Sequence, residues 1–197
     1  MPAIVSSHSS EQPLSAELLG KAKLLKKTSL FVNPSDGAGL FEKQMIFLVL
    51  AGYKSVATAL SGHWVDIPGG RRTVADDPQT VRTFLQSLGL AFSLSDFDGH
   101  ATVAVVALKQ ELIDEYARGS DHSTFGRLYG YPETAVSAFT LGGQALLDDK
   151  EQQQRENEAE LPDGLTNFRL SRNHWADELE VVRQWCVVLR TADLLKA

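Results

Sequence analysis

One cysteine, Cys186, in 197 residues excludes an intramolecular disulfide framework and fits a reducing compartment. Long apolar runs are missing too. The longest, Met45 to Ala51, falls far short of the roughly 18 residues that a membrane helix requires. The opening residues, MPAIVSSHSSEQPLS, contain no basic leader followed by an apolar stretch, so no export signal is read there. A soluble protein of the cytoplasm, without membrane, is the resulting expectation. Excess positive charge is also lacking. The net charge is −6. Residues 148–163 hold seven acidic and two basic side chains, which places −5 in that stretch and leaves the other 181 residues near −1. A broad polyanion-binding surface is not expected, a small basic patch stays open, and nucleic acid is not an expected partner.

Complete catalytic motifs are absent as well. His63, His100, His122 and His174 have no metal-motif spacing such as H-E-x-x-H. No Gly-x-Ser-x-Gly elbow occurs. Cys186 falls on the apolar stripe of a predicted helix, where a thiol behaves as a small inert side chain. Gly37 and Gly39 match neither phosphate-binding glycine pattern. Pro68-Gly69-Gly70-Arg71-Arg72 offers amides beside two arginines, but reads first as a plain loop. In Asp96-Phe97-Asp98-Gly99-His100 two carboxylates stand two apart. The further ligands of a calcium loop are missing, and turn chemistry accounts for Asp98 and Gly99. The pattern therefore calls for no metal and no cofactor.

What is present is a pattern of helices and strands. Residues 1–13 read as a disordered tail and residues 14–197 as a single globular domain. Ser15 caps a helix over 16–27, with Leu18, Ala22 and Leu25 on one face. Residues 33–39 (NPSDGAG) form a turn-rich loop. Residues 40–51 predict a helix apolar almost all round, hence buried, with Gly52 as its stop. A buried strand over 45–50 is the competing reading. Residues 54–60 predict a strand, followed by a loop through His63 and Trp64 and a turn at Pro68-Gly69-Gly70. Pro78 opens a helix whose stripe is Val81, Phe84, Leu85 and Leu88. Asp98-Gly99 between two β-prone runs predicts a hairpin over 90–108, its second strand central in a sheet. Helices follow over 109–118, 123–129, 132–147 and 175–191. On the third of these, Ala135, Phe139, Gly142 and Leu146 share a face. The acidic stretch at about 148–163 reads as a mobile connector or as a solvated helix.

One segment joins helix, glycine stop and proline restart: Gly126-Arg127-Leu128-Tyr129-Gly130-Tyr131-Pro132-Glu133. The new helix starts with free amides, where an anion or polar group can dock, with Arg127, Tyr129 and Tyr131 around it. The segment resembles Gly-Arg-x-x-Gly-Tyr-Pro-x-Cys-Cys-x-x-x-Phe, a motif of small microbial proteins of unknown function, many of them archaeal. Gly126, Arg127, Gly130, Tyr131, Pro132 and Phe139 match, while Thr134 and Ala135 stand where that motif has cysteines. The resemblance spans residues 126–139. It implies helix–turn–helix geometry, with Gly130 and Pro132 in structural roles, and no cysteine chemistry.

The expected fold is α+β: a small, mainly antiparallel sheet including the 90–108 hairpin, covered by helices, with a helical C-terminal third. Strand–helix alternation between 40 and 108 leaves an α/β alternative open. The expected function is a non-catalytic binding or regulatory module for a small molecule or protein, using a groove near residues 129–133, with a homo-oligomer possible. The alternative is an enzyme drawing acid/base groups from His100, His122 and Asp98, with Arg127, at element ends.

Overall fold

Two glycine-stopped hairpins and one helical crossover generate the sheet. The computed structural model describes residues 13–31, 40–119, 121–142, 145–162 and 164–195. The predicted tail, apart from Pro13, and the 33–39 loop lie outside the described residues. Strands β1 (Val56–Ile67) and β2 (Gly70–Ala75) form the first hairpin, and β3 (Ala91–Phe97) and β4 (Ala101–Ala107) the second. The order is β2-β1-β4-β3, with every neighbouring pair antiparallel. The fold is therefore α+β, and the α/β alternative falls because among the described residues no two neighbouring strands run parallel.

Turn chemistry explains both hairpins. Asp98 and Gly99 take φ of 49° and 69°, the paired left-handed conformations of a tight hairpin turn. Pro68 and Gly69 link Ile67 to its partner Gly70, with Gly69 at φ 95°, a turn that proline and glycine favour in that order. The expected loop through His63 and Trp64 is instead strand: β1 runs on to Ile67 and pairs with β2. Arg71, one of the two arginines beside those glycines, bonds Asp66 across that hairpin at 2.7 Å.

Helices cover both faces. Helices α1 (Ala16–Lys27), α2 (Leu40–Leu50) and α3 (Pro78–Ser87) follow the sequence pattern, with Ser15 and Asp77 capping α1 and α3 by accepting from the Leu18 and Thr80 amides. Residues 42–49 of α2 are buried without interruption, which is why its pattern is apolar all round. One sheet face, with Ala57, Ala59, Ala104 and Val106, packs in a core with α2, α3 and helix α8 (Trp175–Thr191). At the centre of that core Trp185 is fully buried, worth about 3 kcal/mol or more in hydrophobic burial. On the other face Val56, Val105 and Ala107 meet Ile113 of α4 (Gln110–Ala117) and Leu128 of α5 (His122–Leu128).

One expectation about the C-terminal third is corrected and one open alternative is resolved. Helix α6 (Glu133–Leu141) stops at Gly142, φ 99°, rather than reaching residue 147. Leu146 then pairs with Ser171 in a short bridge, and Phe139 is half-exposed, so the predicted face of Ala135, Phe139, Gly142 and Leu146 does not exist. The acidic stretch is helix α7 (Asp149–Glu158) rather than a connector. Asp148 and Glu151 form a reciprocal capping box. Arg172 grips Glu151, Arg169 pairs with Asp149, and Gln152 bonds the backbone of Phe168 and Leu170. Those anchors are distant in sequence, so local charge alone does not reveal them.

Candidate functional site

Helices α2 and α5 each end in a glycine-stopped turn, and the two ends meet. At the end of α5 the Tyr131 amide donates to Gly126 O and the Gly130 amide to Arg127 O, with Gly130 at φ 75°. At the end of α2 the Tyr53 amide donates to Leu48 O, with Gly52 at φ 79°. Both are Schellman-type stops. The carbonyls left over at α5 are satisfied by the other helix end: the Ser55 amide donates to Leu128 O and Lys54 Nζ to Tyr129 O, at 3.1 and 2.7 Å. Close approach dictates the glycines here. A Cβ on Gly130 would stand 2.7 Å from Tyr53 O, and one on Gly126 2.8 Å from Val136 Cγ2.

Lys54 is the unusual group. Its side chain is buried, with Nζ 3.9 Å from the Trp185 ring centre and 5.3 Å from that of Tyr131. Among the described residues no carboxylate pairs with it, and burial pushes its ammonium down to about 7. The aromatic faces and helix-end carbonyls favour the cation, and desolvation outweighs them.

Beside this junction lies a cavity of about 290 Å³ bounded by α5, α6 and residues 167–169. Rings dominate its wall: Phe125, Tyr129, Tyr131, Phe139, Phe168 and His122. Tyr129 and Tyr131 are stacked at 5.8 Å, Tyr131 and Phe168 stand at 5.1 Å, and His122 meets Phe139 edge-on at 5.5 Å. The Tyr129 hydroxyl bonds Thr58 and Tyr116 at 2.7 and 3.2 Å. Burial raises the pKa of Tyr129 and of Tyr131 above the ordinary phenol range. Asn167 also lines the cavity, its Nδ2 donating to Met45 Sδ at 3.6 Å, while its Oδ1 is fully buried without a hydrogen-bond partner among the described residues.

The residues singled out by sequence divide into two places. His122, Tyr129 and Tyr131 line the cavity. Asp98 and His100 occupy the far end of the β3–β4 hairpin, both exposed. Tyr129 reaches Thr58, which pairs with Val105; His100 lies five residues back along β4, roughly 16 Å at the usual strand rise. The acid/base set therefore does not converge. Arg127 is committed to Glu133 through two bonds of 2.8 and 2.7 Å. That pairing raises the guanidinium and lowers the carboxylate pKa, and it fills the α6 entrance proposed for an anion. Both groups are more than half exposed, so Arg127→Ala is expected to cost under about 1 kcal/mol in urea unfolding.

A second cavity of about 250 Å³ lies between α6 and the entry to α8, lined in part by Ser137, Ser171 and His174. Ser171 Oγ accepts from the His174 amide and Glu178 Oε2 from the Ser171 amide. These side chains shape the start of α8; they are not a nucleophile and base in contact. Cys186 is buried, and burial pushes its thiol pKa up, away from reactivity.

Sequence patterns do not single out Lys54, Phe125, Asn167, Phe168 or Trp185. Each belongs to a segment with an ordinary local reading, and only the meeting of helix ends brings them together. The one signal in the chain is Lys54 directly after a glycine-stopped apolar helix, a charge at the edge of a buried element. Comparison with protein-family models, with curated proteins and with solved structures finds no match. Among the described residues no helix is long and apolar enough to cross a membrane.

Proposed function

We propose that this chain is a non-catalytic binding module of the cytoplasm whose ligand seat is the aromatic cavity between α5 and α6. The observation that carries this reading is the wall itself: six rings around about 290 Å³. A concave, mostly apolar space with few polar groups is the usual form of a small-molecule site. Catalysis is the weaker reading because His100 and Asp98 stand at the other end of the sheet from His122. The Gly-Tyr-Pro segment then acts as the architecture of the seat: Gly130 admits the α2 end, and Tyr131 faces the cavity.

Indole is a suitable probe, since its ring fits the aromatic cavity. Calorimetric titration is expected to give a Kd on the order of 0.1–1 mM, typical for about nine heavy atoms. Phe139→Ala removes a half-exposed part of the wall and is expected to weaken binding at least fivefold with Tm nearly unchanged. Absence of indole binding at millimolar concentration, or equal binding by Phe139→Ala, would remove the cavity reading.

A further inference from the structure

The structure also assigns a sign to the ligand, a step that rests on the cavity being a binding seat. We propose that the seat takes a small aromatic acid: one or two fused rings bearing a carboxylate. Among the described residues the wall carries no aspartate or glutamate, although the chain has 25 of them against 19 lysines and arginines. Its ionisable members among the described residues, other than the two tyrosines, are His122 and Arg169, both of basic type. Arg169 is paired with Asp149 and bonded to Leu147 O, so it adds little net field.

Lys54 supplies the field. Its Nζ lies 5.3 Å from the centre of Tyr131, and Tyr131 is a wall of the cavity. Among the described residues that ammonium has no carboxylate partner. A charge inside protein is screened far less than one at the surface. An anion in the cavity would answer it across the Tyr131 ring, while the rings take the aromatic body by stacking. The acid's neutral amide would have the same shape without the attraction.

The decisive experiment compares 2-naphthoate with 2-naphthamide by calorimetry at pH 6, where the acid is ionised. The expected result is at least tenfold tighter binding of naphthoate. The ratio should hold between 0.05 and 0.5 M salt, because the source is buried, and fall within threefold of unity in Lys54→Met. Equal affinity of the two probes overturns the sign while leaving the cavity reading intact; binding of neither removes both. A ratio lost at high salt assigns the preference to surface cations and overturns the role of Lys54, as does an undiminished ratio in folded Lys54→Met. The salt series needs only the unaltered protein, so the test stands even where that variant does not fold.

Discussion

Gly130→Ala is expected to lower the unfolding free energy by about 3 kcal/mol or more, with Gly52→Ala costing only about 1 kcal/mol. The two glycines share the same backbone conformation, φ 75° and 79°, so the strain of placing an L side chain there is common to both. They differ in space. A Cβ at 130 would lie 2.7 Å from Tyr53 O and 3.3 Å from Lys54 Cα, both backbone atoms, while one at 52 meets nothing within 4 Å. Backbone cannot rotate away as a side-chain tip can, so the two helix ends must separate. Separation would strip the Lys54 and Ser55 donors from Tyr129 O and Leu128 O and leave carbonyls unpaired. Urea denaturation of both variants measures the difference. Equal losses would show that the helix ends do not approach as closely as described. The same variant should also lose indole binding, because Tyr129 and Tyr131 flank the glycine.

Lys54→Met is expected to flatten the pH dependence of stability. Burial holds the Lys54 ammonium down at about 7, against about 10.4 in an unfolded chain. Between those values the unfolded chain binds more protons, so the unfolding free energy rises with pH. The cost of the buried cation is fully present below the folded value and gone above the unfolded one. The slope approaches about 1.4 kcal/mol per pH unit, and the gain between pH 7 and 9 is about 2 kcal/mol. Tyr129, Tyr131 and Cys186 are shifted upward, chiefly by burial. They act in the opposite sense at higher pH, where an unfolded chain loses protons that the folded one keeps. Subtracting the variant's stability curve from that of the unaltered protein at pH 7, 8 and 9 isolates Lys54. Methionine keeps most of the volume but cannot donate to Tyr129 O, which adds an offset independent of pH. Parallel curves would refute a buried, unpaired ammonium.

Elements governed by neighbours in sequence are legible from the chain alone. Ser15, Asp77-Pro78 and Gly52 bound their helices because capping groups act within a few residues. Asp98-Gly99 sets the second hairpin for the same reason. The apolar stripe over 175–191 marks α8 because its period is local. The Pro68-Gly69 turn is legible in this way but the strands it joins are not: the β1 stretch from His63 to Ile67 is largely exposed, and its alternation carries no apolar signal. Helix α7 is ambiguous in sequence because its charges are balanced by Arg169 and Arg172, beyond its own end.

The candidate site shows the same division. Its rigid hinge, Gly130-Tyr131-Pro132, is visible as punctuation, and Tyr129, Tyr131 and His122 stand out near it. Sequence alone determined a mixed helix–strand protein with one cysteine, its acidity concentrated in one segment and a glycine–proline break between two helices, and the antiparallel sheet settled α+β over α/β. Only tertiary structure decided that Asp98 and His100 stand apart from His122, that Arg127 is held by Glu133, and that a lysine lies buried between Tyr131 and Trp185. Turns and caps are written in adjacent residues. Burial and charge pairing depend on which distant segments meet, and no periodicity records that meeting.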